Sequence, residues 1–188
     1  MQSKLEIRVN ELGVPAEGEQ KTLAGYAVRF NELSEDMGGW RERIKPGALS
    51  WQGVNVRVFV DHTIGVRACL GDVDSGTLRL GMDAQGISFE LRPPDTSAAR
   101  DVFALVGSGV INKMSFGFHA LEYNWIEEDG QLIGELVSGI VREISIVVYP
   151  AYPQTNIDLR SIHIDSREKT RDRAIVIMQL GAIAPCPL

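Results

Sequence analysis

Apolar and polar side chains alternate along most of this chain with a period of two residues, and this pattern limits the possible folds most strongly. The runs 78–82 and 87–91 both alternate in this way, and the turn-forming residues 83–86 separate them. Successive side chains of a β-strand point to opposite faces, so the two runs predict half-buried strands joined as a hairpin. The chain is therefore expected to be mainly β.

Similar runs recur between Gly, Asn and Asp residues, which are typical of the connections in antiparallel sheets. Strands are also expected at residues 4–9, 22–30, 55–61, 65–73, 113–122, 131–141 and 143–149. This number of strands is sufficient for a closed barrel or a sandwich.

A few segments interrupt the strands. One helix is expected at about 96–107, because Pro93-Pro94 ends the preceding strand and Asp95 or Thr96 can cap the helix. A second, short helix is expected near Pro46, since proline is favoured in the first turn of a helix. Residues 31–43 carry Asn, Ser, Asp and paired glycines, which predict a mobile surface loop.

The chain length and the hydrophobic content indicate one packed domain. The chain has 188 residues, of which 44 % are hydrophobic. We expect this domain at residues 1–160. The alternating charges that follow, and the apolar, proline-containing end, predict a C-terminal tail at 161–188, which is flexible or removed by processing.

Charge and cysteine content exclude several classes of function. The formal net charge of −6 leaves no excess of basic residues, so neither nucleic acid nor an anionic membrane surface is expected as a partner. Cys69 and Cys186 are too few for a disulfide framework, and no Cys/His cluster has metal-ligand spacing, so we expect no metal or cofactor. The sequence shows neither a signal-peptide pattern nor a run of ~20 apolar residues. A reducing cytosol fits these features.

One serine lies in an otherwise apolar strand-like run, Met114-Ser115-Phe116-Gly117-Phe118. Met114, Phe116 and Phe118 would face the core, so Ser115 would project from the other face. On that face Gly117 would remove bulk beside the hydroxyl and let a substrate backbone approach. A small polar residue on a solvated face is the simpler interpretation, but Ser115 is also a candidate nucleophile.

A serine hydroxyl requires a base with a pKa near ~6.5, and histidine fits this requirement. His62 is the first candidate, because it follows Val58 and Val60 on the same predicted strand face and stands at the strand end. His119 would lie about 13 Å along the strand from Ser115, which makes it the weaker candidate. His163 is the remaining histidine of the three in the chain.

A third group would orient the imidazole ring. Glu143 is the first choice, since Ile144, Ile146 and Val148 occupy the opposite strand face. An ion pair between Glu143 and Arg142 or Arg92 is the structural alternative. Asp61 is a further candidate for the orienting group, and Cys69 for a different nucleophile.

Taken together, these segments resemble the prohead maturation proteases of tailed bacteriophages, distant relatives of the herpesvirus capsid protease assemblin. The resemblance extends from about Leu23 to Ile157 and depends on the order and spacing of several segments. These are Gly25-Tyr26-Ala27-Val28-Arg29-Phe30, Glu42-Arg43-Ile44-Lys45-Pro46-Gly47-Ala48-Leu49, the strand ending in His62, Pro94-Asp95-Thr96, Met114-Ser115-Phe116-Gly117-Phe118, Glu143-Ile144-Ser145-Ile146-Val147 and Pro150-Ala151-Tyr152-Pro153.

The resemblance implies an assemblin-like antiparallel β-barrel with peripheral helices, an α+β fold. It implies Ser115 as the nucleophile and His62 as the base. Glu143 occupies a position similar to that of the second histidine of assemblin. The loop after that strand implies an oxyanion site at the backbone N–H groups of Ala151 and Tyr152.

The resemblance also implies a serine endopeptidase that acts through an acyl-enzyme. Its expected substrates are the scaffolding segment of the major capsid protein and the protease itself, cut inside the procapsid in the cytoplasm of the bacterial host. Self-association as a dimer or a higher oligomer is expected too. The alternatives are a noncatalytic β-domain in capsid assembly, in which Ser115 and His62 never meet, and a cysteine hydrolase that uses Cys69.

Overall fold

Strands dominate the part of the chain that the structure, a computed structural model, describes, which is residues 20–162. In chain order the elements are β1 (Gln20–Arg29), β2 (Trp40–Ile44), β3 (Leu49–Ser50), β4 (Arg57–Val60), β5 (Cys69–Asp72), β6 (Leu78–Met82), β7 (Gly86–Leu91), α1 (Ser97–Gly107), β8 (Lys113–Glu128), β9 (Gln131–Val147) and β10 (Asn156–Ile162). The expectation of a mainly β fold is confirmed.

The first sheet has the strand order β10-β1-β7-β6. β7 pairs antiparallel with both of its neighbours, so Leu91 lies opposite Leu23 of β1 and Phe89 lies opposite Leu80 of β6. Ile87, Phe89 and Leu91 are buried, as the alternation of their segment predicts. The predicted hairpin at 78–91 is confirmed.

The second sheet is organised around β9, whose length allows it to pair with four other strands. β8 pairs with it antiparallel along one edge. Along the other edge β2, β3 and β4 follow one another in the same direction as β9, with Trp40 opposite Leu132, Leu49 opposite Gly139 and Arg57 opposite Glu143. β5 continues the sheet beyond β4. These parallel pairings depart from the expected antiparallel arrangement, because the connections between β2, β3 and β4 shift the chain along β9 without reversing it.

Three expectations about individual segments are wrong. The predicted surface loop at 31–43 contains most of β2. The segment after Pro46 forms a turn in which Gly47 has a φ of 79°, and it leads into β3 instead of a helix. The two strands predicted at 131–141 and 143–149 are one continuous strand, β9. Neither sheet closes on itself within residues 20–162, so the barrel stays a prediction from the resemblance.

The predicted helix at 96–107 is confirmed as α1. Thr96 is its N-cap, and the Thr96 hydroxyl accepts a hydrogen bond from the Ala99 N–H at 3.2 Å. Ala99, Val102 and Val106 face the core, where they join buried side chains from both sheets. No helix in the described range is long and apolar enough to cross a membrane.

Residues Lys21–Arg160 form one compact unit. The predicted strand at 4–9 lies outside the described residues. The predicted tail at 161–188 also lies outside them, apart from its first two residues, which end β10.

Candidate active site

Pairing between β8 and β9 brings the predicted nucleophile and the predicted orienting carboxylate together. Ser115 lies opposite Ser145, and Gly117 lies opposite Glu143. Residues directly opposite in adjacent strands project from the same face of a sheet, so the Ser115, Glu143 and Ser145 side chains share one face. Ile144 is fully buried on the other face, as predicted.

Gly117 provides the space that the Glu143 side chain occupies. A Cβ atom at Gly117 would lie 2.6 Å from Glu143 Oε1 and 3.2 Å from its Cγ, well inside normal contact distances. The absence of a side chain at Gly117 therefore makes room for the carboxylate of the same protein, whereas the sequence suggested room for a substrate.

His62 reaches this face from a turn and not from a strand. β4 ends at Val60, and both Asp61 and His62 have left-handed backbone conformations, with φ values of 48° and 53°. Non-glycine residues rarely adopt such values, because each costs about 1–3 kcal/mol and persists only where surrounding contacts offset that cost. The strand-face argument used to place His62 was therefore wrong, although the position at a strand end was right.

Hydrogen bonds to β9 hold this turn. The Asp61 N–H donates to the Ile146 carbonyl at 3.0 Å, and the His62 N–H donates to Ser145 Oγ at 3.3 Å. Within the turn the Thr63 N–H donates to the Val60 carbonyl at 3.0 Å. β9 thus fixes both strained residues, and strained backbone of this kind is concentrated at functional sites.

The imidazole of His62 and the carboxylate of Glu143 are in direct contact. His62 Nδ1 lies 2.7 Å from Glu143 Oε1, and the Ser145 hydroxyl donates to Glu143 Oε2 at 2.6 Å. The side chain of Glu143 is only 15 % exposed, whereas that of His62 is 46 % exposed. With Nδ1 facing the carboxylate, Nε2 is the ring nitrogen left available for a substrate or a nucleophile.

The nucleophile candidate is close to this pair but is not yet bonded to it. Ser115 is 9 % exposed. Within residues 20–162 neither its hydroxyl nor His62 Nε2 takes part in a hydrogen bond. The structure therefore joins His62 with Glu143 and brings Ser115 to the strand position beside them.

The other residues considered for the site, or as partners of Glu143, make different contacts or lie elsewhere in the sheet. Asp61 accepts a long hydrogen bond from the Val148 N–H, at 3.4 Å, and Arg92 pairs with Glu90 instead of Glu143. Cys69 lies on β5 opposite Phe59, three strands away from Ser115, which corresponds to about 14 Å. His119 lies on β8 opposite Ile140, beyond a register shift, and His163 is outside the described residues.

The segment after β9 is attached to the start of β8. The Thr155 hydroxyl contacts the backbone of Met114, with its oxygen 2.6 Å from the Met114 carbonyl and 3.2 Å from the Met114 N–H, and it lies 2.9 Å from the Tyr152 carbonyl. Ala151 accepts a hydrogen bond from the Glu35 N–H at 2.8 Å. Within the described range the N–H groups of Ala151 and Tyr152 have no hydrogen-bond acceptor.

Two contacts at the candidate site were not predicted from the sequence. Ser145 was given no role, although its spacing of two residues from Glu143 places both on one strand face and was a usable signal. Thr155 gave no local signal, because its partner Met114 is distant in the sequence. Within residues 20–162 no group of His, Cys, Asp and Glu side chains has an arrangement that could hold a metal ion.

Comparison with known proteins supports the resemblance seen in the sequence. No curated protein and no solved structure matches the chain significantly. A family model described as caudovirus prohead serine protease matches residues 3–170 of the chain. Because this match covers most of the 188 residues, the chain belongs to the caudovirus prohead serine protease family.

Proposed function

We propose that this protein is a serine endopeptidase with Ser115 as nucleophile, His62 as general base and Glu143 as the group that orients His62. The observation that carries the proposal is the 2.7 Å contact between His62 Nδ1 and Glu143 Oε1 on the sheet face that also presents Ser115. In serine protease triads a carboxylate on Nδ1 fixes the tautomer that leaves Nε2 as the proton acceptor. Membership of the family gives the reaction class.

The reaction follows from these roles. Ser115 Oγ attacks the scissile carbonyl carbon while His62 Nε2 takes the hydroxyl proton. Collapse of the tetrahedral intermediate breaks the C–N bond, and His62 gives its proton to the leaving amine. Water then hydrolyses the acyl-enzyme, with His62 again as the base. The contact between Ser115 and His62 is expected to tighten when the substrate binds, as catalytic hydrogen bonds commonly do.

The oxyanion of the intermediate needs nearby hydrogen-bond donors. The backbone N–H groups of Ala151 and Tyr152 are the proposed donors. These N–H groups have no hydrogen-bond acceptor within residues 20–162, and their segment is attached to Met114, next to Ser115; both observations support this assignment. Ser145 supports the site, since its hydroxyl contacts both the Glu143 carboxylate and the backbone N–H of His62.

The proposed substrates are the scaffolding segment of the major capsid protein and the protease itself. Cleavage would take place inside the procapsid, in the cytoplasm of the bacterial host, where confinement replaces high affinity with high local concentration. A homodimer or a higher oligomer and the assemblin-like closed barrel also remain part of the proposal, by resemblance to the family.

The decisive experiment replaces Ser115 by Ala in a chain co-expressed with the major capsid protein of the same phage. Mass spectrometry then follows the cleavage of both proteins. Loss of a triad nucleophile reduces turnover by on the order of 10⁶, so no products are expected from the Ser115→Ala chain.

Ser138→Ala is the matched control, because Ser138 lies on β9 opposite Glu122 and away from the site. It should leave the cleavage pattern unchanged. Unchanged cleavage in the Ser115→Ala chain would reject the protease assignment and favour the noncatalytic β-domain. If Cys69→Ala abolished cleavage while Ser115→Ala did not, the cysteine hydrolase would be selected.

A further inference from the structure

A buried carboxylate outside the proposed triad is held by two tyrosines. Glu42 lies on β2 and is 3 % exposed. The Tyr123 hydroxyl donates to Glu42 Oε1, and the Tyr152 hydroxyl donates to Oε2 at 2.5 Å. Burying a carboxylate is costly unless donors of this kind compensate the lost water, so this arrangement constrains all three residues.

The two tyrosines come from different segments of the chain and remain protonated donors at neutral pH. Tyr123 lies on β8, and Tyr152 lies in the segment that follows β9. Burial, together with the adjacent Glu42 carboxylate, raises the pKa of both hydroxyls far above the ordinary value for tyrosine. Glu42 is itself fixed through Ser34, whose hydroxyl accepts from the Glu42 N–H at 2.8 Å.

Tyr152 connects Glu42 to the residues on both sides of Ser115. Its ring packs on the Phe116 ring with 5.6 Å between centroids and an interplanar angle of 34°. Its carbonyl accepts a hydrogen bond from the Thr155 N–H at 3.2 Å, and the Thr155 hydroxyl contacts the Met114 backbone. Met114 and Phe116 are the immediate neighbours of Ser115 in the sequence.

We propose that Glu42 is a positioning residue, which holds Tyr152 and thereby fixes the segment 150–155 against the strand that carries Ser115. This inference rests on the proposed function, because the held segment includes the suggested oxyanion donors at Ala151 and Tyr152. In this proposal Glu42 acts on the site through Tyr152 and does not touch the reacting groups itself. Removing the tether leaves His62 and Glu143 in place and lets the donors move away from the developing oxyanion.

The test measures the reaction of Ser115 with a fluorophosphonate probe. Ser115 Oγ forms a bond to phosphorus, fluoride leaves, and His62 takes the hydroxyl proton. Tyr152→Phe removes the tether and keeps the ring on Phe116, and Glu42→Gln keeps the shape but replaces one acceptor oxygen by an NH₂ group. Both variants should lower the limiting rate of labelling on the order of 10- to 100-fold, with little change in the half-saturating probe concentration.

Tyr26→Phe is the matched control. The Tyr26 hydroxyl donates to Asp83 Oδ2 at 2.6 Å, so this change also removes a tyrosine–carboxylate hydrogen bond, but one that joins β1 of the first sheet to the turn after β6. A purely structural role for Glu42 predicts that all three variants lose stability in urea and label Ser115 at the wild-type limiting rate. The positioning role predicts slower labelling in Tyr152→Phe and Glu42→Gln alone.

A chain with Ser115→Ala separates failure of the inference from failure of the proposed function. If this chain is labelled as fast as the wild type, or if the wild type is not labelled, the proposed function and the inference both fail. If labelling requires Ser115 but proceeds equally fast in wild type and Tyr152→Phe, only the positioning role of Glu42 fails. Should Tyr152→Phe not fold, the same comparison is made with Glu42→Gln.

Discussion

At the scale of single residues, the Glu143 carboxylate is shared between two partners, with one oxygen on His62 and the other on the Ser145 hydroxyl. Its side chain extends over Gly117, where no Cβ is present. The position of the carboxylate is thus determined by a residue on the neighbouring strand as much as by its own strand. This dependence gives a test that leaves all three proposed triad residues unchanged.

Gly117→Ala should displace the Glu143 carboxylate, because the new Cβ would lie 2.6 Å from Oε1. Cleavage should fall by a factor that can approach about 10⁴, the loss typical of a triad whose orienting carboxylate is disabled. The rate of product formation per folded molecule is the measurement.

Gly81→Ala is the control for this change, since its Cβ would also make a close contact, 2.9 Å from Ser88 Oγ, but on β6 of the other sheet. It should retain wild-type cleavage. Wild-type cleavage by Gly117→Ala would show that the Glu143 carboxylate is not needed in its observed position.

At the scale of secondary structure elements, Thr155 joins the segment after β9 to the first residues of β8. Thr155 is fully buried, and its hydroxyl contacts the Met114 carbonyl, the Met114 N–H and the Tyr152 carbonyl. A side chain of the same shape without the hydroxyl would leave the two carbonyl oxygens and the N–H without this partner.

Thr155→Val should therefore destabilise the protein by about 1–3 kcal/mol, the usual cost of leaving buried polar groups unpaired. Urea unfolding followed by circular dichroism measures the change. Thr155→Ser keeps the hydroxyl and should retain most of the stability, whereas equal destabilisation by Val and Ser would show that the hydroxyl contacts alone do not account for the effect.

The elements differ in how well the sequence predicts them. The hairpin of β6 and β7 and the cap of α1 depend on local patterns, alternation and a Thr before the first turn, so both were predicted. β2 was missed because Glu42 interrupts the apolar pattern, and its burial is explained only by two distant tyrosines. The parallel course of β2, β3 and β4 along β9 likewise depends on contacts across the chain.

The same distinction applies to the candidate site. The alternation of side chains between the two faces of β9 was sufficient to assign Glu143 to the face opposite Ile144, and the structure agrees. The same alternation gave a wrong basis for placing His62, because a left-handed turn after β4 replaces the extended strand there. Local alternation predicts which face a strand residue occupies, but turn conformations and the contacts of Thr155 are set by tertiary structure.

At the scale of the whole molecule, three tyrosine hydroxyls within residues 20–162 donate to carboxylates, that of Tyr26 to Asp83 and those of Tyr123 and Tyr152 to Glu42. Burial comes first among the causes that raise the pKa of Tyr26, Tyr123 and Tyr152, and the bonded Asp83 or Glu42 carboxylate adds to it. The folded protein therefore keeps these protons at pH values where the unfolded chain has released them. Above about pH 10, the ordinary pKa of tyrosine, the folded state binds more protons than the unfolded state.

Stability should consequently be at its full value below about pH 10 and fall as the pH rises further. Each retained proton contributes a slope of about 1.4 kcal/mol per pH unit. Urea unfolding at a series of alkaline pH values measures the slope for the wild type and for Tyr152→Phe. The variant has one such proton fewer and should show a smaller slope, while identical slopes would contradict this account of Tyr152.

β9 has a further consequence for the order of events during synthesis. Glu143, the partner of His62, is part of β9, and Ser115 takes its position because β8 pairs with the same strand. Long-range contacts of this kind cannot form before both partners have left the ribosome. A nascent chain in which His62 and Ser115 have been synthesised but β9 has not is therefore inactive. Under the proposed mechanism, neighbouring capsid subunits are not cut until translation has passed β9.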